Sequence, residues 1–113
     1  MSNIQVSEKT KRVKVLAFRD RLDAFNASST RAEIDLVLEE GVANYVVDLL
    51  DLDFMDSAGI AVLINLLKRA RQLGGTVKLV RPTSPSSLRI LHLTKFDRLF
   101  EMFDTADAAV NSF

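Results

Sequence analysis

The stretch Asp51-Leu52-Asp53-Phe54-Met55-Asp56-Ser57-Ala58-Gly59-Ile60 decides how this chain folds. The apolar run Tyr45-Val46-Val47 enters it, and a run with helical spacing, Ile60 to Leu73, leaves it. A serine therefore stands where a strand hands over to a helix, with aspartates close by. The first amides of a helix lack an intrahelical acceptor and carry a partial positive charge, so they attract anions. At such a point Ser57 is either a helix cap or an acceptor of a phosphoryl group. A phosphoserine adds about −1.5 to −2 charge and three acceptor oxygens. Gly59 leaves the backbone approachable for such a group, while Asp51, Asp53 and Asp56 oppose its charge.

Upstream of this stretch, Ile4-Gln5-Val6 and Val13 to Phe18 have strand character, and Lys9-Thr10-Lys11-Arg12 joins them as a hairpin turn. Arg21-Leu22-Asp23-Ala24-Phe25-Asn26 is a polar link. Thr30 with Glu33 fits a capping box, so a helix is predicted over Ala32 to Leu38, closed by Gly41. Tyr45 to Leu50 is a buried central strand. Ile60, Leu63, Ile64, Leu67 and Ala70 share one face of the helix that follows, and Val62, Leu66 and Leu73 widen it. Gly74-Gly75 ends that helix.

Thr76 to Val80 alternates as a strand. Arg81 to Ser87 is a turn in which prolines block continuation. Leu88, Leu91 and His92 mark a short helix, and Leu99 to Phe103 a last strand. Asp104-Thr105 caps a terminal helix with apolar Ala106, Ala109, Val110 and Phe113. Strands alternating with helices imply crossovers and a mainly parallel sheet, made mixed by the first hairpin. The expected fold class is α/β, a single mixed, mostly parallel sheet of about five strands with about four helices.

The bulk properties narrow the function. With 113 residues the chain suits one domain, 1–113, that buries its core without metals or disulfides. Lys plus Arg equals Asp plus Glu at 15 each, which lacks the basic excess of a nucleic-acid binder. No cysteine is present, excluding disulfides, Cys-ligated zinc and thiol chemistry. There is no apolar segment long enough for a membrane span and no secretory leader, so a cytoplasmic protein is expected.

Catalytic chemistry is poorly served. A nucleophilic serine needs a base, and the only histidine, His92, lies in a predicted helix beside Leu91 and Leu93. Gly-x-Ser-x-Gly is absent, as is any phosphate-cradling glycine loop. Asp48, Asp51, Asp53 and Asp56 read as solvated acids, because strand and turn spacing does not bring four carboxylates to one point. No metal, cofactor or catalytic residue is expected. Val62 and Leu66 have two readings: packing beneath a neighbouring helix, or an apolar strip beside Ser57 that marks a docking surface.

Asp51-Leu52-Asp53-Phe54-Met55-Asp56-Ser57-Ala58-Gly59-Ile60-Ala61-Val62 resembles the signature of the STAS domain, in particular of bacterial anti-sigma factor antagonists of the partner-switching type. Leu22-Asp23 with Asn26-Ala27, Gly74-Gly75 before Thr76 to Val80, and Thr105 to Ala109 resemble the family's layout as well, so the resemblance spans nearly the whole chain. It implies the STAS fold and a regulatory protein, not an enzyme. It implies that Ser57 is phosphorylated by an anti-sigma factor that is also a serine/threonine kinase. The unphosphorylated form binds that kinase and frees the sigma factor, and a PP2C-type phosphatase restores binding. The resemblance places the partner surface on Asp23, Asp56, Gly59 and the start of the following helix. The expected partner-binding residues are therefore Asp23, Asp56, Ser57, Ala58, Gly59 and Ile60, joined by Val62 and Leu66 on the docking-strip reading. From charge and hydropathy no direct contact with nucleic acid or membrane is expected. The sequence leaves the oligomeric state open, and a monomer is the default expectation.

Two departures stand out. Ala58 occupies a position where the family often has Ser or Thr, leaving Ser57 as the local hydroxyl. Arg21 occupies one where an acid or glycine is common. The rival expectation is a constitutive STAS scaffold or ligand-binding subunit of a stress-sensing, secretion-control or lipid-transport assembly, without a phospho-switch. A receiver-like domain phosphorylated on aspartate would want an acidic pair after the first strand, and Arg19-Asp20-Arg21 does not supply it.

Overall fold

The structure, a computed structural model, describes residues 3–9 and 12–113. Strand β1 (Ile4–Lys9) pairs antiparallel with β2 (Val13–Leu22), as a hairpin requires. The Thr10-Lys11 part of the expected turn lies outside the described residues. Then follow α1 (Ala27–Leu38), β3 (Asn44–Met55), α2 (Ser57–Gln72), β4 (Val77–Val80), α3 (Pro85–Leu93), a 3₁₀ turn (Phe96–Arg98), β5 (Met102–Phe103) and α4 (Ala106–Asn111). The sheet order is β1-β2-β3-β4-β5, and every pair after the first is parallel. This is the mixed, mostly parallel five-stranded sheet with four α-helices that the element order predicts.

The sheet has two unequal faces. Leu16, Phe18, Tyr45, Val47 and Leu79 point to the larger core, where they meet Ile34 and Leu38 of α1 and Leu63, Leu66 and Leu67 of α2. Val13, Val15, Val46 and Val80 point the other way and are covered by Ala106, Ala109, Val110 and Phe113 at the C-terminus. Each fully buried Leu or Phe contributes about 1.5–3 kcal/mol by leaving water.

Four elements differ from expectation. Helix α1 starts well before Thr30 and is preceded by Asn26. Thr30 lies inside it, fully buried, and donates its hydroxyl to Asn3 Oδ1 at 3.2 Å. Strand β3 runs on through Asp51 and Asp53 to Met55, so these acids stand on a strand. Its buried residues Leu49, Leu52 and Met55 recur every third position, a spacing that neither strand nor helix patterns anticipate. The cause is two register shifts: Ala17 pairs with Asp48 but Arg19 with Asp51, and Asp20 pairs with Leu52 but Arg21 with Phe54. Each shift puts an extra residue into β3 and turns the following side chains over, as β-bulges do. Asp48 Oδ1 accepts from the Leu50 amide within the first irregularity.

Pro85 opens α3 instead of blocking it. A proline at the first helical position loses no hydrogen bond, because that amide has no intrahelical acceptor. Ser84 caps this helix by accepting from the Ser87 amide at 3.3 Å. Finally, of the expected last strand Leu99 to Phe103 only Met102 and Phe103 form β5, while Leu99 to Glu101 link it to the 3₁₀ turn, and Phe96 and Phe100 lie 4.5 Å apart in the core.

Candidate functional site: the junction of β3 and α2

Ser57 is the first residue of α2, and Asp56 is its N-cap. Asp56 Oδ1 accepts from the amides of Ala58 at 2.9 Å and Gly59 at 3.2 Å. The cap is therefore the aspartate, and the serine is left over. Ser57 is exposed, and its hydroxyl has no hydrogen-bond partner among the described residues. The amides expected to receive an anion near Gly59 are already occupied by the Asp56 carboxylate.

The other oxygen of Asp56 reaches across the chain. Oδ2 accepts from the amide of Ala24 at 3.1 Å, while the Asp56 amide donates to the Leu22 carbonyl at 3.4 Å. Gly59 completes this junction by having no side chain. A Cβ there would lie 2.4 Å from the Leu22 carbonyl oxygen and 2.8 Å from Met55 Cγ. The glycine thus serves the approach of α2 to the end of β2, and its backbone is not open to a visitor.

Asp23 sits behind the loop. Its carboxylate is buried at 2% exposure. Oδ1 accepts from the amides of Phe25 at 3.0 Å and Asn26 at 3.3 Å, and Oδ2 pairs with Arg21 Nε. The Asn26 side chain accepts from the Asp23 amide at 2.9 Å and donates to the Arg21 carbonyl at 2.7 Å. Arg21 also lies over the Phe54 ring, 5.3 Å from its centre, a cation–π contact. These bonds leave the backbone of the loop little freedom, and they turn the Phe25 side chain outward to 95% exposure.

Sequence reasoning missed Phe25 by grouping it with a polar link. The available signal was an aromatic residue between Asp23 and Asn26, two residues that hold turns. On the other side of Asp56, Phe54, Met55, Ile90 and Leu93 line a shallow apolar groove of about 280 Å³, with Arg89 at its side. Asp56, which precedes Ser57, lines this groove and also holds the Ala24 amide beside Phe25.

The residues expected at the partner surface divide. Asp56, Ser57 and Ala58 are accessible in part or in full. Gly59 and Ile60 are buried, Ile60 at 6%. Val62 at 1% and Leu66 at 0% belong to the main core, which corrects their assignment to a docking strip. Helix α2 packs on β3 and β4 and against α1, so its apolar arc is wide and Val62 and Leu66 fall inside it. Among the described residues no three His, Cys, Asp or Glu side chains gather as a metal site. His92 has an 85% exposed side chain, 3.9 Å from Asp97. No described helix is long and apolar enough to cross a membrane.

A five-stranded mixed sheet with a serine opening the helix after its central strand defines a class, and the family comparison agrees: residues 5–109 match the STAS domain. The chain belongs to the STAS domain family. It is 33% identical over 76 residues to a candidate anti-sigma factor antagonist of Thermotoga maritima, a match covering 67% of this chain and 66% of that protein. The crystal structure of the Thermotoga maritima candidate antagonist TM1081 superposes with a TM-score of 0.86 at 27% identity, over 96% of this chain and 92% of that one. The fold is also that of the anti-sigma factor antagonist SpoIIAA in its unphosphorylated form, with a TM-score of 0.82 at 20% identity, covering 96% of this chain and 94% of that one. The phosphorylated form of SpoIIAA, a Bacillus cell fate determinant, gives a TM-score of 0.74 at 20% identity over 96% and 97%.

Proposed function

We propose that this chain is an anti-sigma factor antagonist controlled by phosphorylation of Ser57. The unphosphorylated form docks on a serine/threonine kinase that is also the anti-sigma factor, and this releases the sigma factor. The kinase transfers the γ-phosphoryl group of ATP to Ser57 Oγ, with ADP as leaving group and the hydroxyl proton released. The phosphorylated form dissociates, and a PP2C-type phosphatase hydrolyses the ester and restores binding. The setting of this cycle is the cytoplasm, where ATP and sigma factors are found.

One observation carries the reading: Ser57 is exposed and unpartnered at a helix start whose amides are already held by Asp56. A hydroxyl with no structural task is free to be modified. A phosphate placed there adjoins the Asp56 carboxylate, so its charge is compensated poorly within the chain. Such a group acts on a docking surface by like-charge repulsion and desolvation cost, without refolding the domain. The exposed Phe25 ring supplies the kind of aromatic anchor on which interfaces depend.

Incubation with the cognate anti-sigma factor kinase, ATP and Mg²⁺, followed by peptide mass spectrometry, tests the proposal. A phosphate on Ser57, with kinase binding kept by Ser57→Ala and lost by Ser57→Asp, is expected. A complex indifferent to ATP and to both substitutions would instead identify a constitutive scaffold or ligand-binding subunit.

A further inference from the structure

A second feature lies at the opposite end of α2. Where β4 and the segment leading into β5 begin, a cleft of about 310 Å³ is lined by Arg71, Thr76, Lys78, Arg98, Leu99 and Glu101 among others. Arg71 comes from the last turn of α2 and Arg98 from the 3₁₀ turn. Three cations face one acid, a balance of 3 − 1 = +2 in a chain whose net charge is zero. Ser57 and Arg71 are separated by about 21 Å of helical rise, 14 steps of about 1.5 Å.

The charges in the cleft are poorly neutralised. Arg21, Arg69 and Arg81 each pair with an aspartate, whereas neither Arg71 nor Arg98 has an acidic partner among the described residues. Lys78 is only 8% exposed. Its ammonium donates to Ser112 O at 3.1 Å and Ser112 Oγ at 2.8 Å, and the Glu101 carboxylate lies 3.9 Å away with its side chain 67% exposed. The same ammonium lies over the Phe113 ring, 4.3 Å from its centre, so Lys78 is held by its neighbours and the unpaired charge of the cleft rests on Arg71 and Arg98. Arg71 also offsets the negative end of the α2 dipole. That role accounts for Arg71, the contacts with Ser112 and Phe113 account for Lys78, and Arg98 is left unexplained.

We infer that this cleft binds a small phosphate-bearing anion between the guanidinium groups of Arg71 and Arg98. The planar fork of a guanidinium matches paired phosphate oxygens. Thr76 adds a hydroxyl at the rim, and Leu99, 51% exposed, offers an apolar wall for a carbon portion. The same chemistry is shared by a soluble phosphorylated compound and a phospholipid headgroup. The site is independent of Ser57 and of its phosphorylation.

The test uses the full chain and two probes. Inorganic pyrophosphate is titrated by calorimetry, and vesicles of phosphatidylcholine with and without phosphatidate are assayed by co-sedimentation. Binding of pyrophosphate that weakens at least about tenfold in Arg71→Gln/Arg98→Gln supports a soluble ligand. Phosphatidate-dependent sedimentation lost in the same variant supports a headgroup. Ser57→Ala leaves either signal unchanged. Absence of both signals, binding that survives Arg71→Gln/Arg98→Gln, or binding abolished by Ser57→Ala overturns the inference. Both arginines are exposed, so the double variant retains the fold.

Discussion

The Asp56 carboxylate accepts a hydrogen bond from the Ala24 amide at 3.1 Å, and this ties the start of α2 to the loop that displays Phe25. The same side chain caps α2 through the amides of Ala58 and Gly59. One residue therefore fixes the placement of Ser57 relative to Phe25. Asp56→Ala removes both functions and is expected to lower stability by about 1–2 kcal/mol, the cost of a lost cap. Asp56→Asn keeps an acceptor oxygen and most of the stability. Urea unfolding measures both, as a shift in midpoint with an unchanged slope.

Gly59→Ala tests the close approach of α2 to Leu22. Alanine is the better helix former by about 1 kcal/mol, so an open site would gain stability. Here the new methyl meets the Leu22 carbonyl oxygen at 2.4 Å. A net loss of about 1–3 kcal/mol, the usual cost of overpacking, is expected in thermal or urea unfolding.

Leu66→Ala and Phe25→Ala separate core from surface. Leu66 is fully buried, and its truncation is expected to cost about 2–5 kcal/mol through lost contacts and a cavity. Phe25 is 95% exposed, and its removal changes stability by less than about 0.5 kcal/mol. If the kinase docks at Ser57, Phe25→Ala weakens that complex by at least about fivefold, corresponding to about 1 kcal/mol for an aromatic anchor. Surface plasmon resonance with the immobilised kinase reads it.

The chain has one tyrosine and no tryptophan, so Tyr45 ionisation can be followed cleanly by ultraviolet absorbance. Its hydroxyl donates to the Val42 carbonyl at 2.6 Å within the core. Burial, reinforced by the nearby Glu40 charge and opposed by Arg69, raises its pKa above the ordinary 10.0. The folded state therefore favours the protonated phenol. Stability from this shift is complete below pH 10 and falls as pH rises from there through the folded pKa. Alkaline titration is expected to show ionisation above pH 10 together with unfolding, and Tyr45→Phe removes that pH dependence.

Much of the fold was legible because hydrophobic period and end signals agree at most elements. Thr105 caps α4 and Gly74 follows α2 at φ +88°, both in the places their residue types suggest. The length of β3 was not legible. Its two added residues break the alternation that marks a strand, and only the register against β2 explains why Leu49, Leu52 and Met55 all face inward. The position of Ser57 at the helix start was readable, yet its freedom from hydrogen bonding depends on Asp56 taking the amides first. Val62 and Leu66 escaped a sequence decision because a widened apolar arc looks the same whether neighbours cover it or not. Phe25 escaped because the bonds that turn it outward come from Asp23, whose burial no local pattern announces.

The occupied amides at the head of α2 have one more consequence. Many helix starts greet an incoming anion with vacant donors and so absorb it into the fold. Here Asp56 arrived first and left no such reception. A charge written on Ser57 stays at the boundary of the molecule, where whatever approaches next must be the one to register it.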